Sequence, residues 1–275
     1  MNLKLIHVHG FGEVESETDF TERYKKHLPV LLTNVAIEEL KWNTLSPDLT
    51  VLVHNFRESE ARTHNVASVL AQKIMSCQNP VFLSGFSLGA AVVVRALNLM
   101  RNLDQVAGVV LFGAAIDQNS RLPKLPSRGL YLNFYSRKND NTLRHVFYNA
   151  MGSVAAGTEG FKNASQFINC QTSCRHFNAI KIGDFTYARL VPVVCGLIGW
   201  HFGVMENGSA KSTKNSILIG KTSDWDDIYE YKKCIIQRHS ITGMVRAIEG
   251  GGIHREVCAS KYVSPVLKYL KDMPS

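Results

Sequence analysis

Gly85-Phe86-Ser87-Leu88-Gly89 has the spacing Gly-x-Ser-x-Gly. Ordinary residue frequencies produce such a match by chance in roughly one chain in ten of this length, so the flanks decide its meaning. Val81-Phe82-Leu83 reads as a strand running into it, and Ala90 to Met100 reads as a helix leaving it. A serine at a sharp strand-to-helix turn projects its hydroxyl above the sheet edge, where it can attack a carbonyl. Glycine two residues before and two after lets neighbouring backbone come close. The amide of Leu88 opens the helix without an intrahelical acceptor and can donate to developing negative charge. His9-Gly10-Phe11-Gly12 follows the first apolar run, Leu3 to Val8. The Phe11 amide there is the candidate second oxyanion donor.

A serine hydroxyl is a poor nucleophile until a base takes its proton, and the base needs a carboxylate to fix its tautomer. Asp140 lies 53 residues after Ser87, in Lys138-Asn139-Asp140-Asn141, just past the apolar run Leu130 to Tyr135. Its tetrapeptide is also a strong turn sequence. Asp117, after Gly113-Ala114-Ala115-Ile116, is the alternative acid. Five histidines follow Asp140. His145 is too near it on a candidate helix, and His254 is the most distant. His176 comes soon after a candidate strand, Phe167 to Cys170. His201 lies in Gly199-Trp200-His201-Phe202-Gly203, and His239 opens His239-Ser240-Ile241-Thr242.

His9-Gly10, the Gly85–Gly89 pentapeptide and Asn133-Phe134-Tyr135-Ser136 to Asp140 together resemble the α/β-hydrolase superfamily. More narrowly, they are similar to a poorly characterised lipase- and esterase-like branch of serine hydrolases. The resemblance covers about residues 3 to 207 and is tightest at the serine turn and the acid loop. It implies a mostly parallel sheet flanked by helices, trimmed of its front strands, with the order serine, acid, histidine along the chain. It implies Ser87 as nucleophile, Asp140 as acid and His201 as base, since a glycine-flanked histidine followed by aromatics resembles the family's histidine loop; His239 and His176 are the alternatives. The implied reaction is cleavage of a carboxylic ester, lipid-like or acyl, through an acyl-enzyme with no metal or cofactor. A thioesterase or amidase would use the same residues, and a non-catalytic binding module of the same fold is the rival class. An apolar stretch at about 178 to 200 departs from the family by lengthening the gap before the base.

The elements that must position these residues are read from periodicity. Thr18 to His27 has helical spacing. Asn34 to Trp42 and Leu49 to His54 both have strand character, and the pattern does not choose between them. Glu58 to Met75 reads as a helix with Ala61, Val66, Val69, Leu70 and Ile74 on one face. Val106 to Phe112 reads as a further strand. Strands alternating with helices argue for an α/β fold. Asp224 to Ile236 reads as a helix, with acids at its start and Lys232-Lys233 near its end. Ser264-Pro265 reads as the opening of a final helix. No clean linker is visible, so residues 1–275 read as one domain, with 175–275 its insertion and C-terminal elaboration.

Composition narrows the class. The 275 residues are 45% hydrophobic and 20% charged, as in ordinary globular proteins, which excludes disordered, collagen-like and coiled-coil classes. Six cysteines form no CxxC pair, so reduced, mostly buried thiols are expected rather than a zinc site or disulfide scaffold. The net charge of +8 is scattered and lacks interleaved aromatics, so no nucleic-acid partner is expected. It suits an anionic membrane surface. Leu190 to Trp200 is almost wholly apolar; it reads either as core or as an apolar wall for an acyl chain. The first residues lack signal-peptide character and no run reaches the roughly 20 residues a bilayer span needs, so a cytoplasmic protein is expected, with signal-less export left open.

Overall fold

The computed structural model describes residues 2–11, 20–32, 34–45, 48, 50–127, 129–163, 166–172, 174–176, 186–191, 194–199 and 202, together with the strands 225–231, 234–239 and 245–249. Six parallel strands form the main sheet, in the order β2-β1-β3-β4-β5-β6. They are β1 (Leu3–Val8), β2 (Val35–Leu40), β3 (Val81–Phe86), β4 (Val106–Phe112), β5 (Leu130–Tyr135) and β6 (Ile168–Gln171). Between them run α1 (Phe20–Leu31), α2 (Leu52–Met75), α3 (Leu88–Leu99), α4 (Asn141–Met151) and the short α5 (Ala156–Glu159). The α/β class expected from the sequence is the class observed. The strand after α1 is Val35–Leu40; of the competing candidate Leu49 to His54, residues 52–54 form the start of α2.

The central strands are apolar on both faces, as a sheet covered on both sides requires. Side chains alternate between two cores. One face collects Ile6, Val8, Leu83, Val109 and Leu111 beneath α2 and α3. The other collects Leu3, Leu5, Phe82, Phe112 and Phe134 beneath α1 and the segment 187–202. In that second core Phe112 stacks on Phe134 with ring centroids 5.4 Å apart. The face that α2 buries differs from the one its periodicity suggests: Phe56, Ser59, Thr63, Ala67, Leu70, Ala71 and Ile74 are buried, and Val69 is 55% exposed. Small polar residues pack there because their hydroxyls are bonded, Ser59 Oγ accepting from Leu45 N at 3.1 Å and Thr63 Oγ1 donating to Glu60 O at 2.6 Å.

The structure also bears on the apolar stretch before His201 and corrects one expected helix. Leu190, Val191, Val194, Cys195, Leu197 and Ile198 are buried against the sheet. The described part of the apolar stretch is therefore core, one of the two readings of it, and covers the part of that face beyond α1. The expected helix Asp224–Ile236 is instead two strands, β7 (Trp225–Tyr231) and β8 (Cys234–His239). They pair antiparallel with each other and β8 with β9 (Val245–Glu249). Trp225, Tyr229, Tyr231 and Ile235-Ile236 are strong strand formers, and a dipole pattern contributes only about 0.3–1 kcal/mol against them. The expected final helix near Ser264 lies outside the described residues. No helix among the described residues is long and apolar enough to cross a membrane.

A buried polar network ties α1 to the sheet. Tyr24 OH donates to Ser84 Oγ at 3.1 Å, leaving the Ser84 proton for His7 Nδ1 at 2.9 Å. His7 stacks on Phe20 at 4.8 Å. Burial, with a smaller contribution from neighbouring His9, pushes the His7 imidazole down from 6.5 to about 3. The unfolded chain therefore binds a proton near pH 6.5 that the folded chain refuses until about pH 3. Stability from this group is complete above pH 6.5 and is lost as pH falls toward 3. Urea unfolding is expected to show about 2 kcal/mol less stability from this source at pH 5 than at pH 7. His7→Asn should flatten that part of the curve; an unchanged slope would assign it elsewhere.

Candidate active site

Ser87 links β3 to α3 with φ 55° and ψ −121°, the sole positive φ among the described non-glycine residues. Backbone in that region is strained for a residue with a Cβ and persists only when its surroundings over-determine it. Here they do. Ser87 N donates to Phe112 O at 3.0 Å, and Ser87 O accepts from Ala90 N at 3.1 Å and Ala115 N at 3.0 Å. Gly89 meets the end of β1 so closely that an added Cβ would lie 2.1 Å from Val8 O. At Gly10 the same atom would lie 2.7 Å from Ser87 Cβ. The loop after β1 is thus pressed directly against the serine.

That loop is held by His9. Trp42 N donates to His9 Nε2 at 3.0 Å, so the ring proton resides on Nδ1 and goes to Gly10 O at 2.9 Å. Trp42 Nε1 also donates to His9 O at 3.0 Å, and the two rings stack at 5.8 Å. The next residue, Phe11, meets Phe56 edge-on at 5.6 Å, and Phe56 meets Phe147 at 6.2 Å. Leu88 and Leu143 belong to the same apolar cluster. Phe11 and Leu88, the two candidate oxyanion residues, are therefore anchored by one set of side chains.

Asp140 follows β5 and serves two elements. Its Oδ1 accepts from Leu143 N at 3.1 Å, capping α4. Its Oδ2 accepts from His176 Nδ1 at 2.8 Å and from Tyr187 OH at 3.1 Å. His176, in the loop after β6, places Nε2 at 2.8 Å from Ser87 Oγ. Its ring leans on Phe86 at 4.8 Å. Ser87, Asp140 and His176 are 3%, 1% and 4% exposed. The chain thus presents serine, imidazole and carboxylate in hydrogen-bonded series, an arrangement able to remove the serine proton and stabilise the imidazolium that results.

Of the candidate bases, the structure brings His176, one of the alternatives, to Ser87 and Asp140. His176 makes both hydrogen bonds that a base at this site needs, and Ser87 and Asp140 leave that role to no other described residue. His201 lies outside the described residues, and His239 ends β8, where its side chain is not described. Asp117 is not part of the series. It forms a local turn, accepting from Asn119 N at 2.6 Å. Burial raises its carboxyl, but hydrogen bonds from Ser153 and Asn119 and the charge of Lys162 outweigh that and leave it below its ordinary value. Sequence reasoning missed Trp42 and Tyr187, which touch His9 and Asp140 through contacts 33 and 47 residues apart in the chain. Among the described residues no group of three or more His, Cys, Asp or Glu could hold a metal ion.

Sheet order, serine turn and the chain order serine, acid, histidine together make this an α/β-hydrolase fold. Residues 18–201 match the family model described as protein of unknown function, DUF726. The chain belongs to the DUF726 family. No curated protein matches it. Among solved structures, it is similar to a yden-like hydrolase from Pectobacterium atrosepticum, at 18% identity, 64% of this chain, 80% of that chain and a TM-score of 0.30. It is similar to a cutinase-like protein from Cryptococcus sp., at 21% identity, 68% and 80% coverage and a TM-score of 0.31. Trichoderma reesei cutinase is 16% identical over 46% of this chain and 58% of its own, with a TM-score of 0.31.

The close approach at Gly89 makes a stability test. Gly89→Ala sets a Cβ against backbone oxygens of Val8 and His9, which cannot swing aside. The expected loss is about 3 kcal/mol by denaturant unfolding. A variant as stable as the parent would show that α3 can withdraw from β1 at little cost.

Proposed function

We propose that this DUF726 protein is a serine hydrolase that cleaves carboxylic esters through Ser87, His176 and Asp140. The observation that carries the reading is the continuous pair of 2.8 Å contacts from Ser87 Oγ through His176 to Asp140 Oδ2. In this reading Ser87 Oγ attacks the ester carbonyl while His176 Nε2 takes its proton. The Leu88 and Phe11 amides hold the oxyanion of the tetrahedral intermediate. As that intermediate collapses, the bond to the alcohol oxygen breaks and Nε2 returns the proton to the leaving alcohol. Water then attacks the acyl-Ser87 ester with His176 again as base, releasing the acid and restoring the serine. The buried Asp140 holds the imidazole in the tautomer with its proton on Nδ1.

A fluorophosphonate probe tests the nucleophile without knowledge of the natural substrate. Labelling is expected on Ser87 and is expected to vanish in Ser87→Ala. His176→Ala should lower the labelling rate by at least about a thousandfold, as loss of a member of such a triad does. His201→Ala and His239→Ala should label within about threefold of the parent. A parent protein that resists the probe would favour a binding module over an enzyme. Loss of labelling in His201→Ala with retention in His176→Ala, on folded variants, would overturn the assignment of the base.

A further inference from the structure

The described part of the segment 187–202 packs on one face of the sheet. It begins at Tyr187, the first residue of a 3₁₀ turn, and continues into the buried Leu190, Val191, Val194, Cys195 and Ile198. Tyr187 is itself buried, and its hydroxyl is aimed at the triad rather than at solvent. The phenol lies 3.1 Å from Asp140 Oδ2 and 3.3 Å from Gly157 O. It has one proton to give. Gly157 O already accepts from Ser136 N at 2.9 Å, whereas Asp140 is an ionisable carboxylate and the nearer acceptor. Hydrogen bonds to an ionised acceptor are roughly twice as strong as neutral ones.

We propose that Tyr187 is a positioning residue of the triad: its hydroxyl fixes the Asp140 carboxylate in the orientation that presents Oδ2 to His176. The inference rests on the hydrolase reading given above. An aspartate χ2 torsion is broad and roughly two-fold, so the acid's backbone does not by itself decide which oxygen faces the histidine. Leu143 N holds Oδ1 on one side, and Tyr187 OH holds Oδ2 on the other. The ring is located independently of that bond. It packs edge-on to His176 at 6.1 Å and against Phe86 at 6.1 Å. An added Cβ at Gly113 would lie 2.8 Å from the Tyr187 ring and 3.1 Å from that of His176, so the glycine leaves the space both rings use. Burial, then the charges of Asp140 and Cys174, hold the phenol well above its ordinary range, so it keeps its proton.

The arrangement gives the apolar 187–202 segment a second task. By docking on the sheet it delivers the hydroxyl to a carboxylate 47 residues earlier in the chain.

Tyr187→Phe removes one oxygen and keeps the ring, so the packing survives, and thermal melting within a few degrees of the parent checks that it does. Fluorophosphonate inactivation, resolved into a binding constant and a maximal rate, should show the maximal rate about tenfold lower and the binding constant unchanged. In an Asp140→Asn background the same substitution should change the maximal rate less than twofold, because the acceptor's charge is gone. Equal losses in both backgrounds, or a loss confined to the binding constant, would overturn the proposal. The proton resonance of His176 Nδ1–H, read without any substrate, separates the two readings. A protein that resists the probe while this resonance moves on Tyr187→Phe would sink the hydrolase reading and keep the contact. A labelled protein whose resonance stays in place would sink the contact alone.

Discussion

A carboxylate shut away from water is tolerable only when donors surround it, and Asp140 meets that condition with groups from three parts of the chain. Leu143 N comes from α4, His176 Nδ1 from the loop after β6, and Tyr187 OH from the turn beyond it. Burying a charge without such partners costs several kcal/mol, so these three segments are held together by the same requirement. The histidine that reaches Ser87 is oriented by this carboxylate. The helix that closes the apolar cluster beside Phe11 and Leu88 is capped by it. Local structure, tertiary packing and the chemistry of the site meet at one side chain.

The serine end is built on the opposite logic. Ser87 adopts a backbone conformation that is unfavourable for its residue type, and the sheet pins it there through Phe112 O and Ala115 N. β1 supplies the counter-surface on which α3 sits at Gly89, and its following loop lies against Ser87 at Gly10. His9, its tautomer set by Trp42, stiffens that loop. The strained turn and the loop facing it therefore depend on the register of the central strands, in which Val8 pairs with Gly85 and Phe86 with Phe112. The sheet interior is nearly all apolar, and such cores are close-packed and transmit small shifts, so displacement of β1 would be felt at the serine.

The sequence errors have a common cause. A pattern read along the chain measures local preference, and several segments here are placed by distant partners. The charge order of Asp224–Ile236 fits a helix, yet its aromatic and β-branched residues pair as strands once β9 is available across β8. Val69 has the right period for the buried side of α2, but the buried face, which packs against α3, runs through Ser59, Thr63 and Ala67. Small residues allow close helix approach, and their hydroxyls find partners, which no hydropathy pattern reports. His201, flanked by glycines and aromatics, looked like a family motif. The aliphatic residues shortly before it, Leu197 and Ile198, are core that covers the sheet.

What the sequence determined by itself was whatever depends on neighbours a few residues apart. The alternation of apolar runs specified the parallel α/β layout. The pentapeptide Gly85–Gly89 between a strand and a helix specified the serine turn. Asp140, in a turn sequence just past an apolar strand, lies where the family resemblance puts the acid. Only the tertiary structure decided which histidine meets the serine, since a local motif such as that around His201 does not report what lies across the sheet. His176 reaches Ser87 across 89 residues and Asp140 across 36. Those distances close because β3, β5 and β6 lie in one sheet with their C-terminal ends on the same edge. The partners Trp42 and Tyr187 belong to the same class: their roles arise from contacts that exist only after the two faces of the sheet have been covered.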